Sequence, residues 1–269
     1  MSIVSKTTTK QTTTNIQKRK GGEVITMITA YDALFARLFD GNVDIILVGD
    51  SLQMSFNGDT DTLPASLDIM LYHTKAVCQG AKNSLIVLDM PFGTYLDEKD
   101  ALKNAVRVYQ ESKASAIKIE GGENKAHIIK HLTDNGIAVM GHIGLLPQLV
   151  RAEGGYKVKG KTEAEKQQLI RDAKAIEAAG AFCMVIEGVV ADVATEVAEA
   201  VNIPLIGIGA GNGVDGQVLV WSDAFGFFEA FKPKFVKQYM NGATVIKEAL
   251  NNYVEYVKSR QFPDEDHSY

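Results

Sequence analysis

Residues 44–50 read Asp-Ile-Ile-Leu-Val-Gly-Asp, a short apolar run that ends in a glycine and an acid. The run does not alternate between apolar and polar positions, which is typical of parallel strands covered on both faces. Seven other segments have the same character, and most are separated by stretches with the apolar spacing of helices. The predicted strands are residues 24–30, 44–50, 85–90, 116–121, 138–144, 182–188, 204–209 and 217–221.

Helical patterns fill most of the connections. They cover residues 32–40, 66–79, 98–113, 124–135, 161–179 and 191–201, with one or two more helices in 235–260. Ser66 is a plausible N-cap of the second helix, and the first helix is expected to carry Leu34, Phe35, Leu38 and Phe39 on one face. The alternation of strands and helices predicts an α/β fold of the (β/α)8 TIM barrel type.

One connection departs from this pattern. Residues 210–216 are too few for a full helix, so we expect a degenerate last unit, and a doubly wound parallel sheet remains an alternative. The predicted organisation is a single domain over 1–269, with an N-terminal arm or helix in 1–22 and C-terminal helices and tail in 235–269.

Composition excludes several classes of protein. The chain of 269 residues is 46% apolar and 23% charged, as globular proteins are, and its net charge of -5 argues against nucleic acid or an anionic membrane as a partner. No apolar run approaches the roughly 20 residues of a membrane span. Cys78 and Cys183 have apolar neighbours and no partners at metal-ligand spacing. We therefore expect two buried, reduced thiols and a cytoplasmic location.

The ends of the predicted strands carry the chemistry. Asp50, Asp89 and Glu120 lie where their strands end, and the C-terminal strand ends of a barrel meet at one face. Three crowded carboxylates raise one another's pKa unless a cation compensates them. Oxygen ligands without cysteine suit Mg2+. Each acid alone is better explained as a helix cap or a lysine partner, but the three together predict a metal site.

Further candidates lie on the same strands. Lys118 and Glu120 are two apart, so their side chains share one side of the sheet, where Lys118 suits a substrate carboxylate. A plain buried ion pair, or a Schiff base on Lys118, remains an alternative. His142 stands between glycines at a strand end, which favours a substrate contact over a core position. Glu187 ends an apolar strand, a setting that suits a general acid or base.

A glycine-rich run, Gly207–Gly213, invites comparison with nucleotide-binding loops. It lacks the spacing of the dinucleotide fingerprint and the lysine of the P-loop, and no long helix follows it. We interpret these glycines as places where the backbone passes close to a ligand.

Long motifs give the chain a resemblance to a known family. They are ITAYD (28–32), LVGDSLQM (47–54), TLPASLDIMLYHTKAV (62–77), LDMPFGTY (88–95), IKIEGG (117–122), GHIGLLPQ (141–148), GGYKVKGKT (154–162), IPLIGIGAG (203–211), DGQVLV (215–220) and PDEDHS (263–268). In this order they resemble the ketopantoate hydroxymethyltransferase (3-methyl-2-oxobutanoate hydroxymethyltransferase) family. The resemblance covers the chain from about residue 24 to its end.

The resemblance implies a barrel related to the phosphoenolpyruvate mutase and isocitrate lyase group. It implies transfer of a hydroxymethyl group from 5,10-methylenetetrahydrofolate to 3-methyl-2-oxobutanoate, through an enolate stabilised by Mg2+, to give ketopantoate for pantothenate and coenzyme A synthesis. It also implies a homodecamer.

The resemblance also implies roles for particular residues. Mg2+ would be held by Asp50, Asp89 and Glu120, and the first two would also face the substrate. Ser51, Lys118 and His142 would contact the oxo acid, and Glu187 would be the catalytic acid/base. Two alternatives stay open at this point: a Mg2+-dependent lyase or aldolase of the same barrel group, which would not need folate, and a non-enzymatic binding protein.

Overall fold

Eight parallel strands close into a barrel in the computed structural model, which describes residues 9–229 and 232–269. Each strand pairs with the next, and β8 pairs with β1. The strands are β1 (Ile25–Thr29), β2 (Ile45–Val48), β3 (Leu85–Asp89), β4 (Ala116–Glu120), β5 (Val139–Gly144), β6 (Cys183–Glu187), β7 (Leu205–Ile208) and β8 (Gly216–Leu219). The predicted (β/α)8 barrel is confirmed, and the doubly wound sheet is wrong because the sheet has no open edge.

One helix precedes β1, and helices follow most of the strands. They are α1 (Thr13–Gln17), α2 (Ala33–Phe39), α3 (Leu67–Gly80), α4 (Glu98–Glu111), α5 (Glu123–Asp134), α6 (Val150–Glu153), α7 (Glu163–Ala178), α8 (Ala191–Glu199), α9 (Trp221–Ala224) and α10 (Gly242–Lys258). As expected, no helix separates β7 from β8 among the described residues, so the Gly207–Gly213 run forms neither a P-loop nor a dinucleotide-binding turn.

Side-chain caps set the start of the long helices. Ser66 accepts a hydrogen bond from the Ile69 N–H at 3.2 Å, as predicted. Asp97 and Thr162 cap α4 and α7 in the same way. Each cap satisfies an N–H that has no partner inside the helix, and such caps contribute about 1 kcal/mol each. The strand-to-helix turns at the mouth of the barrel are therefore well determined by local chemistry.

The predicted face of α2 is wrong in part. Leu34 and Leu38 are 64% and 61% exposed, whereas Ala36 and Phe39 are buried. The helix has seven residues with apolar side chains around most of its surface, so periodicity could not select the buried side. The predicted β8 was also displaced, because Trp221 begins α9 instead of ending the strand.

The N-terminal segment closes the lower end of the barrel. Ile16 of α1 is fully buried in a cluster with apolar residues from the strands, such as Ile25 and Leu85. Arg19 pairs with Asp44 at 2.5 Å, and Lys20 pairs with Asp215 at 2.8 Å. The predicted arm therefore contains a short helix, and its residues 1–8 lie outside the described part of the chain.

The chain divides into two compact units, Met1–Val220 and Trp221–Tyr269. The first contains the barrel. The second contains α9, α10 and a short 3-10 turn at Glu265–His267. The Phe262 ring makes an edge-to-face contact with Tyr253 and a tilted contact with His267. The expectation of one domain over 1–269 stays a prediction.

Two smaller expectations concern cysteine and the membrane. Cys78 and Cys183 are both free and buried, as the sequence indicated. Among the described residues, no helix combines the length and hydropathy that a membrane crossing requires.

Candidate active site

Charged side chains gather at the C-terminal ends of β2 to β6. The register of the sheet sets them side by side, because Asp89 pairs with Lys118 and Glu120 pairs with His142 across neighbouring strands. Asp50 and Ser51 follow β2, and Glu187 is the last residue of β6. The sequence-predicted site residues therefore share one mouth, as the barrel topology requires.

Lys118 lies at the centre of this cluster. Its Nζ is 2.6 Å from Asp89 Oδ1, 3.9 Å from Glu120 Oε1 and 3.2 Å from His142 Nδ1. Burial alone would lower the pKa of Lys118, but the charges of Asp89, Glu120 and Asp50 raise it well above its ordinary value. The side chain is therefore an ammonium ion. That disfavours the Schiff-base alternative, which needs the free amine as a nucleophile.

The three strand-end acids are almost completely buried, with exposures of 3% for Asp50, 3% for Asp89 and 5% for Glu120. Burial raises the pKa of Asp50 well above its ordinary value, and the charges of Asp89 and Glu120 raise it further. Burial also raises the pKa of Asp89, although Lys118 opposes that effect. The positive charges of Lys118 and His142 thus do not fully compensate the acids, and Asp50 is the acid whose ionised form is least stabilised.

Glu120 differs from the other two acids. Burial would raise its pKa, but contacts with His142, Lys118 and the Gln148 N–H lower it overall. The carboxylate is ionised and is held between two strands. Its Oε1 is buried and has only long contacts with cations, with His142 Nδ1 at 3.4 Å and Lys118 Nζ at 3.9 Å.

These donors fit a hard divalent cation. The set is oxygen-only, its negative charge is only partly neutralised, and Glu120 Oε1 is buried with no close hydrogen-bond donor, since its nearest cationic nitrogen is 3.4 Å away. In residues 9–229 and 232–269, no three acid, histidine or cysteine side chains are grouped closely enough to enclose a metal by themselves. Mg2+ does not require such a cage, because it usually takes one or two carboxylates and completes its shell with water and substrate oxygens.

His142 connects two carboxylates. Its Nδ1 is 3.4 Å from Glu120 Oε1, and its Nε2 is 3.3 Å from Glu187 Oε2. Burial and the Lys118 charge would each lower the pKa of His142, but Glu120 and Glu187 outweigh them and raise it to about 9. At neutral pH the ring is an imidazolium, a second cation in the mouth of the barrel.

Glu187 is the most accessible acid of the set, with a side-chain exposure of 20%. Its backbone position depends on Gly144, its register partner on β5. Gly144 has a φ of +94°, and a Cβ there would lie 2.4 Å from the Glu187 carbonyl oxygen. Only glycine lets the two strands approach this closely while Glu187 reaches the mouth.

Three further residues belong to the site and were missed. Tyr31 is fully buried, and its hydroxyl is 2.9 Å from Ser51 Oγ. Gln148 donates from Nε2 to Asp50 Oδ2 at 2.8 Å, and Tyr95 donates to Gln148 Oε1. A signal was present in the sequence, because all three lie within the motifs ITAYD, LDMPFGTY and GHIGLLPQ. Apart from Ser51, the predicted site residues were all titratable, so these uncharged partners were not among them.

Comparison with known proteins agrees with this geometry. Residues 10–265 match the family model for ketopantoate hydroxymethyltransferase. The 3-methyl-2-oxobutanoate hydroxymethyltransferase of Sulfurimonas denitrificans is 66% identical over 97% of this chain and 99% of its own length. The protein of the same name from Aliarcobacter butzleri is 60% identical over the full length of both chains.

The chain belongs to the ketopantoate hydroxymethyltransferase family. This confirms the family resemblance and the predicted enzyme, a 3-methyl-2-oxobutanoate hydroxymethyltransferase. The lyase and the non-enzymatic alternatives are set aside, because relatives matched over the whole chain carry the transferase name.

Solved structures of other barrels share the fold at low sequence identity. A phosphonopyruvate hydrolase solved with oxalate and Mg2+ superimposes with a TM-score of 0.62 at 13% identity, over 96% of this chain and 93% of its own. A 2,3-dimethylmalate lyase of the PEP mutase/isocitrate lyase superfamily gives 0.59 at 14% identity, over 96% and 92%. The expected likeness to the fold of these barrels is confirmed.

Proposed function

We propose that the charged mouth of the barrel binds 3-methyl-2-oxobutanoate together with Mg2+, and that 5,10-methylenetetrahydrofolate supplies the one-carbon unit there. One observation carries the proposal: four carboxyl groups, those of Asp50, Asp89, Glu120 and Glu187, share the mouth with one ammonium and one imidazolium. With all four ionised, two negative charges are left over, which is the charge that a divalent cation neutralises. Asp50, Asp89 and Glu120 are the proposed metal ligands.

The substrate contacts follow from charge and position. Lys118 is a buried cation and would pair with the carboxylate of the oxo acid, with Asp50 and Asp89 facing the same molecule. The hydroxyl of Ser51 would donate a hydrogen bond to a substrate oxygen. The positive charge of the His142 ring, whose two nitrogens face Glu120 and Glu187, would attract the negative oxygens of the substrate. Together these groups would fix the orientation of C3, where the new bond forms. When bound, Mg2+ supplies a Lewis acid that stabilises negative charge on the oxo acid.

Glu187 is the proposed acid/base of the transfer. Its carboxylate reaches solvent in part, unlike the other acids of the cluster, and so it can exchange protons during turnover. His142 lies between Glu187 and Glu120 and would hold the Glu187 side chain toward the substrate. General acid-base catalysis by one such group typically contributes about 100- to 10,000-fold in rate.

Assembly and location are also proposed. The apolar stripe Ile246, Leu250, Tyr253 and Val257 runs along α10 and is exposed in the single chain, at 42–57% per residue. A helix with such a face normally packs against a partner. We infer a homo-oligomer, with the decamer of the family as the expected count. The two reduced thiols support the cytoplasm as the compartment.

The test uses purified protein with both substrates, first with Mg2+ and then with EDTA, and measures ketopantoate. Metal-dependent product would support the proposal. A second assay follows exchange of the C3 proton of the oxo acid with deuterium, without folate. Exchange that persists in EDTA would contradict the role of the metal.

A further inference from the structure

The side chain of Gln148 uses both amide protons and its amide oxygen in hydrogen bonds inside the cluster. The residue is 4% exposed and lies in a short 3-10 turn, Pro147–Leu149, that follows β5. Its Nε2 donates to Asp50 Oδ2 at 2.8 Å and to the Met90 carbonyl oxygen at 3.0 Å. Its Oε1 accepts from the Tyr95 hydroxyl. Both amide protons and the amide oxygen are therefore assigned.

The Met90 carbonyl oxygen and Tyr95 together fix which way the amide points. A carbonyl oxygen can only accept a hydrogen bond, so the end of the side chain that lies 3.0 Å from Met90 O is the NH2 group. The amide oxygen then lies at the other end, where it accepts from the Tyr95 hydroxyl. The amide nitrogen is then directed at Asp50. The reverse orientation would set an oxygen against the Asp50 carboxylate and leave Met90 O without this donor.

The backbone of Gln148 holds a second acid. Its N–H donates to Glu120 Oε2 at 3.0 Å. One residue on the β5 loop thus contacts carboxylates that come from β2 and β4. In each carboxylate it occupies one oxygen, Asp50 Oδ2 and Glu120 Oε2, so that Oδ1 and Oε1 remain for another ligand.

We propose that Gln148, oriented by Tyr95, is a positioning residue that presents Asp50 and Glu120 to Mg2+ and the oxo acid. The inference rests on the proposed function, because it assigns the same carboxylates to the metal. It also assigns the GHIGLLPQ and LDMPFGTY segments, which contain Gln148 and Tyr95, a common role in holding the metal-binding carboxylates. Partners that hold metal-binding carboxylates in place typically change metal affinity or activity by about 10- to 100-fold when removed.

The test compares Gln148→Met and Tyr95→Phe with matched controls. Gln168→Met removes an amide that also donates to two carboxylates, Glu123 and Asp172, but on the outer helix α7. Tyr109→Phe removes a part-buried tyrosine hydroxyl that contacts only backbone, at Ser115 O and Ala138 N. Calorimetric Mg2+ affinity, kcat, and KM for 3-methyl-2-oxobutanoate are measured on each variant below its melting temperature.

We expect Gln148→Met to lose about 10- to 100-fold in Mg2+ affinity and in kcat/KM. Tyr95→Phe should lose less, in the same direction, and the two controls should match the wild type. Wild-type Mg2+ affinity and kcat in both site variants, with only a lower melting temperature, would show that the pair is merely structural and would overturn the inference alone. A wild-type protein that binds no Mg2+ would overturn the proposed metal site and this inference together. If Gln148→Met does not fold, Tyr95→Phe decides between these outcomes.

Discussion

Replacing Lys118 with methionine should destabilise the metal-free protein far more than removing a surface lysine. The Lys118 Nζ lies 2.6 Å from Asp89 Oδ1, and the two side chains are each 4% exposed. At an effective dielectric constant of about 20, that separation corresponds to an attraction of about 6 kcal/mol. The desolvation cost of both charges offsets part of it, but breaking a buried pair by removing one partner still costs about 3–5 kcal/mol.

The loss should also depend on pH in a defined direction. The pKa of Asp89 is already raised by burial, and Lys118 is the charge that opposes this most. Without Lys118 the folded-state pKa of Asp89 rises further above its unfolded value of about 3.9. An acid with a raised folded pKa contributes stability below its unfolded pKa and loses it as the pH rises through the folded pKa. The deficit of the variant should therefore be larger at pH 8 than at pH 5.

The assay is urea unfolding in EDTA, at equal protein concentration because association adds to apparent stability. Lys130→Met is the control, since Lys130 forms an exposed pair with Asp134 on α5 and such pairs contribute less than about 1 kcal/mol. Equal deficits in the two variants would refute the reasoning. So would a Lys118→Met deficit that does not change between pH 5 and pH 8.

Four further outcomes are expected. Glu187→Gln should lower kcat by about 100-fold or more, whereas KM for the oxo acid should change little. Steady-state kinetics measures both constants, and a rise in KM as large as the fall in kcat would contradict a role of Glu187 in proton transfer. In EDTA, His142 should stabilise the fold fully below its unfolded pKa of about 6.5, and that stability should be lost as the pH rises through its folded pKa of about 9. The difference of about 2.5 pKa units corresponds to about 3 kcal/mol; unfolding at pH 6.5 and 9.5 measures it, and a flat profile in the wild type would contradict it. Gly144→Ala should lower the melting temperature more than Gly136→Ala. Both glycines have positive φ, but only at Gly144 would the added Cβ clash with backbone, 2.4 Å from the Glu187 carbonyl oxygen. Equal shifts in the melting temperature would show that this clash has no effect. Leu250→Asp should shift light-scattering mass toward smaller species, and an unchanged mass would exclude the α10 face from assembly.

Most of the fold was predictable because the strands are covered on both faces. Continuous apolar runs, most of them ending at or next to a glycine or an acid, identified all eight strands to within two residues at each end. The charged residues of the site could then be predicted from their positions at strand ends, because the C-terminal ends of all the strands of a barrel meet at one face. The face of α2 was missed because Leu34 and Leu38 are apolar yet exposed, and a sequence pattern carries no record of what covers a side chain.

The uncharged part of the site was not predictable in the same way. Gln148, Tyr95 and Tyr31 act through hydrogen bonds between loops that are far apart in sequence, such as the contact between Gln148 and Asp50. Neither periodicity nor charge marks such a residue. Its role becomes visible only when the partner atoms and their donor or acceptor character are known.

The seam between β8 and β1 has a consequence for how the chain folds. The other seven strand pairs join residues that lie roughly 10 to 45 positions apart, whereas Ile25 pairs with Gly216, about 190 positions later. Closing that longer loop costs about 1.3 kcal/mol more in chain entropy than closing the longest of the others. We expect the β8–β1 pairing to form late, after the sequential strand pairs. The Lys20–Asp215 ion pair then stabilises the closed barrel at the lower end of this seam. A chain cut and rejoined at another strand junction would carry the slow step with it to the new seam.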